Sequence, residues 1–275
     1  MDTPIKLALL NLYAGSENQG MRCLRKIVSD YNISHDSPIL SEEFEVRNSK
    51  QFPGLHFDIY ICSGGPGNPL ENSANEWEVD FYSWIDDLLA YNNNENNLRK
   101  KYVFFVCHSF QMICAHLQLG KVTKRRSTSF GVFPVHRIDH ENKENIFEGL
   151  TDPFFAVDNR DYQVTEPNLE RIEWYGSSVL AIEKDRTHVP YERAIMAMRI
   201  NKYMIGTQFH PEADVEGMLI HFQSEEKKKM ILENYGVEKY QSMIEQLNDP
   251  EKIRLTYNCI IPQFIDLSVK ALHHD

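Results

Sequence analysis

Cys107 closes the apolar run Tyr102-Val103-Phe104-Phe105-Val106 and opens a stretch of helical spacing from His108 to Leu117. The apolar run has the length and residue types of a buried strand. A thiol at such a strand-to-helix turn lies where the unpaired amides and partial positive charge of a helix start favour a thiolate. Far downstream, Gly206-Thr207-Gln208-Phe209-His210-Pro211-Glu212 supplies an imidazole and a carboxylate two residues apart. Alternate residues of an extended segment share a face. Glu212 can therefore fix the tautomer of His210, while His210 takes a proton from a thiol and returns it. The turn Gly64-Gly65-Pro66-Gly67 can present backbone N–H groups to a developing oxyanion, and the amide of His108 supplies another. Taken singly, the cysteine reads as a buried core residue and the glycines as a tight turn. Together they describe acyl transfer through a covalent thioester.

The elements that would position these groups alternate along the chain. Ile5 to Leu12 reads as strand and Asn18 to Tyr31 as helix. Glu42 to Val46 and Phe57 to Cys62 read as strands, and Glu76 to Tyr91 as helix, before the Tyr102 strand. Strands joined by helices of this length imply right-handed crossovers and a largely parallel sheet covered on both faces. From Phe130 to Gly206 the pattern changes to short β-like runs: Val132 to Ile138, Phe154 to Val157, Ile172 to Trp174, Val179 to Ile182, Ala194 to Ile200 and Tyr203 to Thr207. Turn residues between them predict antiparallel pairs at one edge of a mixed sheet. Beyond Glu212 the spacing is helical, with Tyr240, Met243, Ile244 and Leu247 on one face. Asp249-Pro250 reads as a helix start, and Pro262 as a kink further on. Residues 1–214 thus form one α/β domain, and 215–275 a helical C-terminal extension packed on it. Such a tail packs on its own domain or mediates a homodimer.

The chain has 275 residues with 42% hydrophobic and 25% charged residues, enough for one substantial core. Its net charge of -11 argues against nucleic acid or an anionic membrane as partner. The basic stretch Lys121 to Arg126 reads as a solvated hairpin. No segment approaches the roughly 20 apolar residues of a membrane span. The five cysteines are odd in number and form no C-x-x-C pair, which fits free thiols in a reducing cytoplasm and no structural zinc.

The segments SGGPGNP (63–69), VCHSFQ (106–111) and GTQFHPEAD (206–214), in this order, resemble the class I glutamine amidotransferases. The resemblance implies a flavodoxin-like α/β fold. It implies Cys107 as nucleophile, His210 as general base and acid, and Glu212 as orienter. The amides of Gly65 and His108 would form the oxyanion hole, and Gln111 would contact the substrate. The implied reaction is attack on the γ-amide of glutamine, release of ammonia and hydrolysis of a γ-glutamyl thioester, with no cofactor. Within the family the chain is most similar to the GMP-synthase-like glutaminases. It lacks both an SGG-x-D-S pyrophosphate loop and a G-x-x-x-x-G-K-S/T loop. Activation of an ammonia acceptor would therefore fall to a separate synthase subunit.

Two departures mark the chain. The family elbow reads Gly-x-Cys-x-Gly, whereas Phe105 and Ser109 occupy the outer places here. In Asp158-Asn159-Arg160-Asp161-Tyr162, where relatives carry a histidine-containing strand, Arg160 is the candidate partner for a substrate carboxylate and Asp161 for an amine. Three other functions use the same residues: a γ-glutamyl peptide hydrolase, an acyltransferase of the homoserine type, and a regulatory module that only binds.

Overall fold

The computed structural model describes residues 4–16, 18–35, 38–70, 75–138, 145–185, 192–249 and 252–274. In chain order the elements are β1 (Lys6–Asn11), α1 (Gln19–Ser34), β2 (Leu40–Glu45), β3 (Ile59–Cys62), α2 (Glu76–Asn93), β4 (Tyr102–Val106), α3 (His108–His116) and β5 (Lys121–Arg137). There follow β6 (Phe154–Thr165), α4 (Leu169–Tyr175), β7 (Ser178–Glu183), β8 (Ile195–Asn201), β9 (Met204–Thr207), α5 (Val215–Gln223), α6 (Glu225–Asn248) and α7 (Ile253–His274). The strands form one mixed sheet in the order β2-β1-β3-β4-β9-β8-β7-β5-β6. The first five run parallel, and each pairing beyond β9 is antiparallel.

The near-continuous apolar runs of β1, β3 and β4 are explained by burial on both faces, as parallel sheets require. Leu7 and Leu9 of β1 turn to the face covered by α1 and α7, with Met21, Leu24, Ile260 and Phe264. Ala8 and Leu10 turn to the face covered by α2 and α3, with Phe81, Trp84 and Phe110. The period-two alternation of the strand decides which layer each side chain joins. A third cluster seats α5 and α6 on β5 and β6, through Phe222, Met243, Phe130 and Val157.

Two expectations change. Ile172 to Trp174 belongs to a helix, α4, because Asn168 caps it by accepting from Arg171 N and Gly176 ends it at φ 63°. β5 and β6 are much longer than expected: the basic stretch from Lys121 is already paired with β6, and a register shift between Lys124 and Ser129 follows. In the tail, Ile260, Ile261, Phe264 and Ile265 of α7 lie in the main core. Pro262 stands inside α7 and Gly236 interrupts α6 with φ 80°. The helix start expected at Pro250 lies outside the described residues. Among the described residues no helix is long and apolar enough to cross a membrane.

Candidate active site

The parallel strands β1, β3, β4 and β9 all end at the same edge of the sheet, where open α/β folds gather functional groups. Cys107 follows β4 and precedes α3 with φ 49° and ψ -98°. A non-glycine residue held in such a conformation costs about 1–3 kcal/mol and persists only where its surroundings enforce it. The enforcement is visible. The Cys107 amide donates to the Thr207 carbonyl at 2.7 Å, and its carbonyl accepts from the Gln111 amide at 2.9 Å. The Ser109 hydroxyl accepts from the Val106 amide at 2.9 Å and sits 3.0 Å from the carbonyls of Cys62 and Val106. Ser109 thus braces the turn that a glycine would merely permit.

Phe105 is accommodated by its neighbour across the sheet. It pairs in register with Gly206 of β9. A Cβ at Gly206 would stand 2.5 Å from Phe110 Cδ2 and 3.2 Å from Phe105 Cβ. The small residue needed for close packing at the elbow is therefore on β9 rather than on β4.

His210 follows β9 and is held by a bridge to Val157 of β6, with its amide donating to the Val157 carbonyl at 2.8 Å. Its Nδ1 lies 2.8 Å from Glu212 Oε1, and Glu212 is buried to 1% exposure. Burial works to lower the pKa of His210. The charges of Glu212 and Cys107, and side-chain hydrogen bonds with both, outweigh that effect, so the pKa is raised well above its ordinary value. Around the Cys107 sulfur, Gln208 Nε2 donates at 3.8 Å, and the sulfur can donate to the Asn159 carbonyl at 3.9 Å. A Cβ on Gly64 would lie 2.9 Å from His210 Cε1, 3.2 Å from the Tyr13 hydroxyl and 3.6 Å from Cys107 Cβ. Gly64 is thus the gap through which β1, β4 and the β9 terminus converge. Burial, then the charges of Glu212, Cys107 and Cys23, holds the Tyr13 pKa well above its usual value.

Cys107, His210 and Glu212 come together beside Gly64. Gly65 belongs to the adjoining loop, where a Cβ would stand 2.5 Å from the Leu12 carbonyl oxygen and 2.8 Å from Arg47 Nη2. Only glycine fits there. The His108 side chain is buried, and burial followed by the charge of Arg47 pushes its pKa down to about 3. Its imidazole stays neutral. Gln111 does not face the opening: its amide nitrogen donates to the Tyr162 carbonyl and to Gln208 Oε1, so it reaches the thiol through Gln208. Arg160 lies elsewhere. Its buried guanidinium pairs with Asp158 at 2.9 Å and with Glu183 at 3.5 Å, beside Arg125. Strand alternation places the Arg160 side chain on the opposite face of β6 from that of Asn159; it is the backbone carbonyl of Asn159 that meets the thiol.

Sequence reasoning gave no role to Tyr13, Asn159, Gln208 and Arg47, and named Gly64 only within a turn that offers N–H groups. The signal for Gln208 was its spacing of two from His210; for Asn159 it was alternation with the charged Asp158 and Arg160. Arg47 follows β2, stacks on Trp77 at 4.5 Å, and has Nε and Nη2 buried without hydrogen-bond partners. No short-range pattern marks it. Among the described residues no three or more His, Cys, Asp or Glu side chains form a metal-holding group.

The fold and the site define an α/β protein with a cysteine on a strained strand-to-helix elbow facing a His–Glu pair. The family model for glutamine amidotransferase class-I matches residues 11–222. The chain belongs to that family, and its sheet is the mixed, flavodoxin-like sheet of the class. No curated protein matches significantly. Among solved structures, a glutamine amidotransferase from Thermotoga maritima is 12% identical, covers 98% of this chain and 100% of its own, and superposes with a TM-score of 0.70. A GMP synthase subunit protein from Thermoplasma acidophilum is 18% identical, with 78% and 87% coverage and a TM-score of 0.52. The glutaminase domain of Trypanosoma brucei CTPS, solved with bound acivicin, is 14% identical, with 76% and 86% coverage and a TM-score of 0.52.

Proposed function

We propose that the protein hydrolyses the γ-amide of glutamine through a Cys107-His210-Glu212 triad and delivers the ammonia to a separate synthase subunit. The observation that carries this reading is the meeting of the strained Cys107 elbow with the His210–Glu212 pair, with Gln208 and Asn159 against the sulfur. His210 takes the thiol proton, and the sulfur attacks the γ-carbonyl carbon. The amides of Gly65 and His108 hold the oxyanion, a role in which a single donor contributes about 2.7–4 kcal/mol. The C–N bond breaks as His210 returns the proton to the departing nitrogen. Water, deprotonated by His210, then splits the thioester to release glutamate. Gln111 serves as a positioning residue for Gln208. The five free cysteines suit a reducing compartment such as the cytoplasm.

The test is reaction with a glutamine-mimicking electrophile, with the adduct located by peptide mass spectrometry. The expected result is labelling at Cys107 alone, suppressed by glutamine and weakened in a His210→Ala protein. Labelling that ignores glutamine, or that falls on another cysteine, refutes the reading.

A further inference from the structure

Beside the His210–Glu212 pair lies a cavity of about 130 Å³, walled by the end of β1, the start of α1, β6 and the start of α5. Tyr13, Gly20, Cys23, Asn159 and Met218 line it together with His210 and Glu212. We infer that this cavity receives the leaving amine, and that the substrates include γ-glutamyl amides of small neutral or cationic amines as well as glutamine. The inference rests on the proposed triad chemistry and extends its substrate class.

Position is the first argument. The leaving nitrogen must depart beside the group that protonates it, and His210 is part of the cavity wall. Asn159 ties the cavity to the nucleophile, because it lines the wall and its carbonyl lies 3.9 Å from the Cys107 sulfur. Size is the second. A molecule as small as water, and hence ammonia, occupies roughly 30 Å³, whereas a cavity of about 150 Å³ admits benzene. The space fits an amine of several heavy atoms.

Charge is the third argument, and it selects among amines. Among the described residues, the ionisable side chains of the wall include Glu212 and Asp214, with no lysine or arginine. Arg22 is nearby but committed to Asp214 at 2.5 Å. Glu212 Oε2 is buried without a hydrogen-bond partner. The Cys23 thiol, pushed up to about 12 mainly by burial, stays protonated. Asp214 is balanced by Arg22, and Glu212 Oε1 by His210, which leaves Glu212 Oε2 as an unpaired buried acceptor: it takes an N–H from a neutral or cationic leaving group and has nothing to offer a carboxylate. In the reaction the sulfur displaces R–NH₂ from the γ-carbonyl, the amine leaves with the proton from His210, and water releases glutamate.

The test measures glutamate release by the full chain from glutamine, γ-glutamylbutylamide, mono-γ-glutamyl-1,4-diaminobutane and γ-glutamylglycine. The expected result is kcat/KM for the butylamide and the diaminobutane conjugate within tenfold of glutamine or above it, and for γ-glutamylglycine at least tenfold below. A Met218→Trp protein, with the cavity filled, should lower the butylamide-to-glutamine ratio of kcat/KM at least tenfold. Hydrolysis of glutamine with both amine conjugates more than tenfold slower overturns the inference and leaves the glutaminase reading standing. Preference for γ-glutamylglycine overturns the charge argument. No glutamate from any of the four refutes the parent reading as well.

Discussion

Replacing Glu212 with glutamine removes a charge from His210 while keeping the shape of its partner. The carboxylate lies 2.8 Å from His210 Nδ1. At an effective dielectric of about 20, Coulomb attraction at that separation is roughly 6 kcal/mol. Desolvation cancels much of this, and neighbouring opposite charges move a pKa by about 1–3 units in practice. The pKa of His210 in Glu212→Gln should fall by that amount. Protonation of the leaving nitrogen needs the imidazolium, so the alkaline limb of kcat against pH should move down by about 1–3 units. On the acid side of that limb the two proteins should differ little; on its alkaline side they should differ by about 10- to 1000-fold. Stability follows the same sign. A histidine whose folded pKa is raised contributes stability fully present below its unfolded value of about 6.5, and that contribution is lost as pH rises through the raised folded value. The difference in unfolding free energy between the two proteins should therefore narrow on the alkaline side. A full pH–rate profile of glutamate release, with denaturant melts at matched pH values, checks both limbs. An alkaline limb that stays in place or moves up in Glu212→Gln refutes the reasoning.

Gly64→Ala places a methyl group 2.9 Å from His210 Cε1; the expected outcome is a loss of at least about 100-fold in kcat, with an unchanged far-ultraviolet spectrum. Arg47→Met removes a cation beside Gly65 together with two unpartnered buried N–H groups. Glutamine turnover should fall about tenfold while Tm holds or rises, because unpaired buried donors cost about 1–3 kcal/mol each; a fall in both would show that Arg47 is a structural strut. Ile261→Ala in α7, at a fully buried position, should cost about 2–5 kcal/mol in a denaturant titration. A cost below about 1 kcal/mol would mean that α7 is peripheral after all.

Much of this arrangement was legible because strong patterns carried it. β3 and β4 are short apolar runs between turn signals, and α1 and α2 have long helical periods with Asn18 capping α1. Cys107, His210 and Glu212 were legible as a group because they bear rare chemistry at fixed offsets from strand ends. Local runs of apolar residues were less informative. Ile172 and Trp174 look like strand residues, but none of the α4 side chains is buried, and the cap residues at either end decide the helix. Arg160 looked like a ligand because an arginine near a site suggests an anion. Its partners Asp158 and Glu183 lie 2 and 23 residues away, and only the antiparallel sheet brings the last of these alongside. Gln111 lies one contact from the thiol, through Gln208, which its position in the helix did not reveal.

The exchange of volumes between Phe105 and Gly206 makes the two positions a single unit of sequence change. A bulky residue entering at 206 is tolerated only once 105 has shrunk and Phe110, whose Cδ2 would stand 2.5 Å from the new Cβ, has moved aside; shrinking 105 first leaves a hollow under the elbow. Between those states lies a fitness valley, since overpacking costs about 1–3 kcal/mol and truncating a buried phenylalanine about 3–5 kcal/mol. Lineages carrying this arrangement should therefore seldom revert to a glycine before the nucleophile, even where selection on the chemistry itself is relaxed. Searches that demand a small residue two places before the cysteine will pass them by. A rule that sums the side-chain volumes of the two paired positions would find them.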